Sequence, residues 1–359
     1  MSGATYRDAG VDIEAGNRAV RLMKAAVEAT HGPAVLGGVG AFGGLFDLGG
    51  VLGRVARPVL VASTDGVGTK TRVAAAVGRW SSVGADLVNH CIDDILVQGA
   101  RPLFFLDYVA SARLQPEQIA TIVGGVAAAC GEAGIALLGG ETAEMPGVYV
   151  PGEIDLCGTI VGIVDREQLV DGSRIEVGDF VLGLGSTGLH TNGYSLARRV
   201  VQGHDLEAAR ESLGGASLAD ALLAVHRSYA PDFERLRADG PDGDPVDVRG
   251  MVHVTGGGLI DNPPRVLPDG AAFWLDESRW IAPPIFDWLG REGGIARAEQ
   301  RHAFNCGLGL LVVVPEHDAD RALARIAARS GAPSAGVVGR IVARDGGAPV
   351  RFAADEASR

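Results

Sequence analysis

The sequence predicts an α+β protein of two domains, and three observations carry that expectation. Strand-like runs rich in β-branched and aromatic residues alternate with helical patterns along the whole chain. At 359 residues the chain exceeds the size at which single hydrophobic cores usually stop growing. Its 53 glycines fall in short blocks beside those strand-like and helical runs, as in loops that handle phosphate, and are not spread as linker.

In the first half, strands are expected over 57–64, 101–111, 134–142 and 154–165. Helices are expected over 15–30, 82–98 and 116–133, where apolar residues recur every three or four positions, Pro116 and Glu117 suiting a first turn. A new strand, FVLGLGS, follows VDREQLVDGSRIEVGD, so the domains are placed at 1–170 and 171–359. In the second half the pattern predicts helix 193–202, helices within 216–239, strand 252–255, a helix after Gly258, strand 308–315 and helix 317–330. The stretch 239–245 reads as a surface loop and the tail after Arg351 as frayed.

A formal net charge of −12 disfavours a nucleic-acid surface, which needs clustered Lys and Arg. No segment approaches the roughly 18 apolar residues of a membrane span and the N-terminus lacks a signal-peptide pattern, so a soluble, cytoplasmic protein is expected. Cys91, Cys130, Cys157 and Cys306 are too dispersed for a zinc or disulfide framework. Within an acidic chain a phosphorylated ligand must be met locally, by glycine-loop N–H groups, helix N-termini or a divalent cation.

The run Ser63-Thr64-Asp65-Gly66-Val67-Gly68-Thr69-Lys70 places a possible Mg²⁺ ligand, two glycines and a cation directly after a strand. It is not a Walker A loop, since Thr69 stands where that motif has Gly. In WSSVGADLVNHCIDDILVQG, Val83, Leu87, Val88, Cys91, Ile92 and Ile95 form a stripe that puts Asp94 at its edge and Asp93 opposite, in solvent. A third acid, Glu141, follows Gly139 and Gly140, which are expected to turn the chain tightly at a strand end. Asp65, Asp94 and Glu141 are expected to converge on one Mg²⁺, because acids so close need a cation between them.

Two GxGxxG matches, Gly38–Gly43 and Gly183–Gly188, lack the context of a dinucleotide fold but suit anion cradles, with Gly40 and Gly43 as candidates in the first. His190 with Asn192, and His253 with Thr255, Gly256, Gly257 and Gly258, lie at turns that lead into helices; either imidazole can accept a proton near neutral pH.

Taken together, TYRDAGVDIEAGN, GGVGAFGGLFDL, STDGVGTK, NHCIDDILVQGARPLFFLDY, LLGGETAEMPGVY, GLHTNGYSL, HVTGGGLIDN and FNCGLGL resemble the phosphoribosylformylglycinamidine cyclo-ligase family across both halves. The resemblance implies two domains with mixed sheets flanked by helices, the N-terminal sheet pairing with that of a second copy into a dimeric β-barrel. It implies ATP and Mg²⁺, with K⁺ left open, and formylglycinamidine ribonucleotide as substrate. Asp65, Asp94 and Glu141 would serve metal, Asp65, Gly66, Gly68, Thr69 and Lys70 would serve ATP, and His190, Asn192, Thr255 and Gly256–Gly258 would serve substrate. Lys70, His253 and His190 are the catalytic candidates, His253 first for the proton. Selenophosphate synthetases are disfavoured by the absence of cysteine before Cys91.

Overall fold

The computed structural model describes residues 10–40, 43–240, 243–328 and 334–356. They form two compact units, one of residues up to Ile95 together with Ala100–Glu167, the other of Leu96–Gly99 and the chain from Gln168 onward.

The first unit runs α1 (Ile13–Glu28), a short α2 (Gly49–Leu52), β1 (Pro58–Gly66), α3 (Lys70–Val77), α4 (Ser81–Leu96, its last residue in the second unit), β2 (Arg101–Ser111), α5 (Pro116–Glu132), β3 (Ala136–Glu144) and β4 (Ile154–Asp165). Asp12 caps α1 by accepting from the Glu14 and Ala15 N–H groups, and Pro116 opens α5 where no amide is needed. The strands form a mixed sheet in the order β1-β4-β2-β3. β4 runs antiparallel to both neighbours, while β2 and β3 are parallel and joined through α5, the crossover that a parallel pair requires. α4 lies close against β4: a Cβ on Gly158 would meet Phe105 and Leu87, and one on Gly162 would meet Ile95. On the opposite face, Val55, Leu103 and Ile163 pack with Phe46, Leu48, Val51 and Phe104, leaving Leu60 59% exposed.

The second unit runs β5 (Phe180–Gly185), α6 (Tyr194–Val200), α7 (Leu218–Leu222), α8 (Ala230–Arg237), β6 (Gly250–His253), α9 (Gly258–Asp261), β7 (Ala271–Leu275), α10 (Pro284–Glu292), α11 (Arg297–Ala303), β8 (Leu308–Val314), α12 (Ala319–Ala327), β9 (Ala335–Ala343), β10 (Val350–Phe352) and α13 (Ala353–Glu356). Its sheet has the order β10-β7-β9-β5-β8-β6. β8 is buried along its whole length, as its uninterrupted apolar sequence requires, and packs with Leu182, Leu184, Tyr229 and Phe233.

The tail corrects the expectation of fraying. Val350–Phe352 pairs in parallel with β7, Phe352 is buried, and Arg301 lies over its ring, so apolar residues after a short Gly-Gly turn found a sheet edge. Pro241 and Asp242, within the expected loop 239–245, lie outside the described residues, as do Ala41 and Phe42 of the first glycine-rich match.

Candidate functional site

In the first unit Asp65 belongs to β1 and Asp94 to the last turn of α4. The His90 Nε2 lies 2.9 Å from Asp65 Oδ2 and 3.7 Å from Asp94 Oδ2, and the Ser63 hydroxyl donates to Asp94 at 2.9 Å. One ligand atom from each of Asp65, His90 and Asp94 lies within 4.8 Å of the others. Two carboxylates at that spacing suit a hard divalent cation, while the nitrogen of His90 suits Mg²⁺ less well than oxygen does. The neighbouring turn supplies Gly68, whose φ of 53° favours glycine, and Thr69, whose buried Oγ1 has no hydrogen-bond partner among the described residues.

Burial alone would lower the His90 pKa, but the hydrogen bond to Asp65 and the charges of Asp94 and Asp65 outweigh it and raise the value above 6.5. Burial likewise works to raise Asp65, yet the His90 bond and charge hold it below 3.8. The histidine's contribution to stability is therefore complete below pH 6.5 and lost as pH rises through its raised pKa. That of Asp65 is complete above pH 3.8 and lost as pH falls through its lowered pKa. Melting temperature measured against pH should accordingly decline on the alkaline side of 6.5 by an increment that His90→Gln removes. An identical pH profile in the variant would refute the pairing.

Three sequence expectations are corrected here. Asp93 is fully buried, not solvated, because α4 buries residues on nearly every side and a one-stripe wheel does not describe it. Lys70 is fully buried too, its Nζ 2.7 Å from Asp86 Oδ2, so it ties the start of α3 to α4 instead of presenting an ammonium to phosphate. Glu141 does not join Asp65 and Asp94: β1 and β3 are the two edges of the sheet with β4 and β2 between them, about 14 Å apart at the usual strand spacing.

Glu141 instead lines a cavity of about 650 Å³ along β3, with Thr142, Gly139, Gly140 and the first glycine-rich loop through Gly38, Gly40 and Gly43. That loop spans an antiparallel bridge, Val35 to Phe46, and the end of α1 is fastened to β3 by Thr30 and His31, which bond to the Leu137 N–H and carbonyl. Val20, Met23 and Val27 of α1, Val123 of α5 and Leu137 supply an apolar wall, and Asp107 of β2 a carboxyl group.

The paired glycines do not turn the chain, for β3 continues through them to Glu144. A Cβ on Gly140 would fall 1.9 Å from Asp107 Oδ1 and 2.4 Å from the Asp107 carbonyl, whereas one on Gly139 would make an ordinary 3.6 Å contact with Leu106. Gly140 is thus the space in which the Asp107 carboxyl lies. Gly140→Ala should cost about 1–3 kcal/mol of stability by overpacking and weaken any cavity ligand, while Gly139→Ala should be near neutral. Equal urea midpoints for the two variants would contradict this packing.

In the second unit the structure brings the two glycine-flanked turns together. A Cβ on Gly256 would lie 3.6 Å from Asn192 Nδ2, and His190 stacks on His226 at 3.9 Å between centroids. His226 Nε2 lies 3.3 Å from His253 Nε2, so of these two nitrogens one donates and the other accepts. The Thr187 N–H donates to His190 Nε2 at 3.3 Å, which makes that nitrogen an acceptor. Asn262 locks the second turn by accepting from the Thr255 N–H and donating to the Gly256 carbonyl. Asn305 locks the first by bonding Ser186, the Gly188 carbonyl and the Gly307 N–H. Gly183 and Gly185 belong to β5, where Gly183 makes room for Val338 and Leu308, so only Ser186–Gly193 is loop. Sequence reasoning missed His226, which stands alone outside any quoted motif, and gave no role to Asn305 and Asp107 although they lie within FNCGLGL and NHCIDDILVQGARPLFFLDY.

Residues 48–164 match the model described as AIR synthase related protein, N-terminal domain, and residues 176–351 match that described as AIR synthase related protein, C-terminal domain. Thiamine-monophosphate kinase from Stenotrophomonas maltophilia K279a shares the fold at 22% identity and a TM-score of 0.65, covering 94% of this chain and 96% of that one. HypE from E. coli does so at 18% identity and a TM-score of 0.66, covering 94% and 93%. Fold and matches together define an AIR synthase-related protein. A phosphoribosylformylglycinamidine cyclo-ligase from Anaeromyxobacter dehalogenans (strain 2CP-C) is 52% identical over 326 residues, 90% of this chain and 92% of that protein. One from Burkholderia mallei (strain SAVP1) is 48% identical over 325 residues, 90% of each. The chain belongs to the phosphoribosylformylglycinamidine cyclo-ligase family and is a ligase.

Proposed function

We propose that the cavity along β3 holds ATP, that Asp65 and Asp94 hold Mg²⁺, and that the two turns of the second unit hold formylglycinamidine ribonucleotide. The enzyme forms 5-aminoimidazole ribonucleotide in purine biosynthesis, as its family membership entails. The observation that carries the site reading is the cavity itself, which gathers Gly38, Gly40 and Gly43 against Glu141 and Thr142 beside an apolar wall. Backbone N–H groups of such a loop suit phosphates and the wall suits a base. HypE in complex with ATP, 17% identical with a TM-score of 0.63, shares the fold.

An amide-type carbonyl is a poor electrophile, so ring closure requires the formyl oxygen to become a leaving group, which transfer of the γ-phosphoryl group accomplishes. The chain's task is then positioning and neutralisation of charge. Mg²⁺ bound at Asp65 and Asp94 would supply neutralisation, with His90 orienting Asp65. His253 would accept the proton released as the internal nitrogen attacks, with His226 beside it and His190 as the alternative; Asn192, Thr255 and Gly256–Gly258 would orient the substrate. Phosphate and ADP leave with the aminoimidazole.

The homodimer belongs to this proposal: Leu60, Leu106, Leu138 and Val161 line a shallow apolar groove with Leu45 and Phe46 on the sheet face opposite α4, a surface suited to a second copy. So does a cytoplasmic location; among the described residues no helix is long and apolar enough to cross a membrane.

Phosphate release measured with ATP, with and without formylglycinamidine ribonucleotide, tests the reading. Release that depends on that substrate and yields an imidazole product is expected. Nucleotide binding with no substrate-dependent release would instead indicate a nucleotide sensor.

A further inference from the structure

We infer that Asp107 reads the base of the nucleotide, its carboxyl group pairing with the edge of adenine that carries the 6-amino group. This rests on the proposal that the cavity along β3 is the ATP site, and it adds to that proposal the residue which decides which purine enters.

Asp107 sits in the middle of β2, in register with Gly158 of β4 and Gly140 of β3, and its carboxyl fills the space that the missing Gly140 side chain leaves. It therefore stands in the cavity wall, next to the free edge of the sheet. Its surroundings there differ from those of four other acids of the unit. Asp65 is bonded to His90, Asp94 to Ser63 and Asp86 to Lys70, and Glu144 accepts from the Asp12 and Leu114 N–H groups. Among the described residues Asp107 has only its own backbone N–H. A half-buried carboxyl without a side-chain partner loses hydration with no return in the free protein, unless a ligand completes it.

The surroundings indicate what kind of ligand group does so. Met23, Val27, Val123, Leu106 and Leu137 are apolar and suited to the faces of a planar base, and among the described residues Glu141 is the one other ionisable side chain that lines the cavity. Cys130 of α5 is near enough that the Asp107 charge, after burial, helps to push its thiol pKa up. Burial pushes the Asp107 carboxyl to about 7, so the protonated form is accessible at neutral pH. A protonated carboxyl offers a donor and an acceptor side by side. Adenine presents the complement, an amino donor beside a ring-nitrogen acceptor. An ionised carboxylate would offer acceptors alone and would suit the adjacent N–H donors of guanine.

The test compares equilibrium binding of ATP with that of purine riboside 5′-triphosphate, which lacks only the 6-amino group. The full-length wild-type protein is measured beside Asp107→Asn, Asp107→Leu and Val20→Trp. Wild type should prefer ATP by about tenfold or more, since a site built around a hydrogen bond rejects the analogue lacking it. Asp107→Asn keeps a donor and an acceptor and should retain the preference; Asp107→Leu should bind both triphosphates equally. An undiminished preference in Asp107→Leu overturns the assignment, as does loss of the preference in a folded Asp107→Asn. Val20→Trp, which fills the cavity from α1, separates the two levels of the argument. If it leaves ATP affinity unchanged, the cavity is not the nucleotide site; if it abolishes ATP binding while Asp107→Leu still discriminates, the cavity stands and the role of Asp107 falls.

Discussion

Asp86→Ala should destabilise the first unit by about 3–5 kcal/mol, the cost of deleting one member of a buried ion pair. Lys70 and Asp86 are both fully buried and meet at 2.7 Å. Removing the carboxylate leaves the Lys70 ammonium in the core without that counter-ion, and burial already lowers the lysine's pKa against the pull of Asp86. Replacing both partners with apolar residues of similar volume, Lys70→Met with Asp86→Leu, should recover most of the loss. Urea unfolding of the two variants checks this. The position of the pair explains its functional weight, for Lys70 opens α3 directly after Gly68 and Thr69, so the pair anchors the turn to α4, the helix that carries His90 and Asp94. If Asp86→Ala instead unfolds at the wild-type midpoint, Lys70 does not rely on Asp86 and a phosphate-facing lysine returns to consideration.

The second large effect is expected at Asp94. Asp94→Asn should lower turnover by about 10²–10³-fold with little change in melting temperature, as loss of a charge-neutralising group in a preorganised site does. The side chain is about a fifth exposed, held by Ser63, and its charge is one that raises His90. Asp93→Asn should do the reverse, lowering stability while sparing turnover per folded molecule, because Asp93 is fully buried. Steady-state phosphate release together with thermal melts separates the two. Equal losses of turnover in both variants would show that the adjacent acids are not divided between site and core.

Local signals in the sequence were strong where one residue type settles one structural question. β2 and β4 begin and end where their β-branched and aromatic runs do, and α5 starts at Pro116 because that residue suits a first helical turn. The turn around Gly68 and the two turns of the second unit lie at the strand and helix ends where their glycines placed them. What escaped depends on tertiary arrangement. Strand order is invisible in a list of strands, so Glu141 was grouped with Asp65 although two strands separate β3 from β1. A helical wheel presumes one wet face, which α4 lacks. The Gly139-Gly140 pair reads as a turn until the neighbouring strand shows a carboxyl lying over Gly140. β7 and β10, five and three residues long, are masked by the loops around them, while β9, the nine residues Ala335–Ala343, was passed over although its Val337, Val338, Ile341 and Val342 carry a strand signal.

Photolabelling by 8-azido-ATP, followed by mass mapping of the adducts, tests the central claim most directly. The account predicts labels within residues 16–27 or 137–142, reduced by competing ATP and lost in Val20→Trp. Labels confined to the second unit, about Thr187–Tyr194 or Thr255–Gly258, would contradict it.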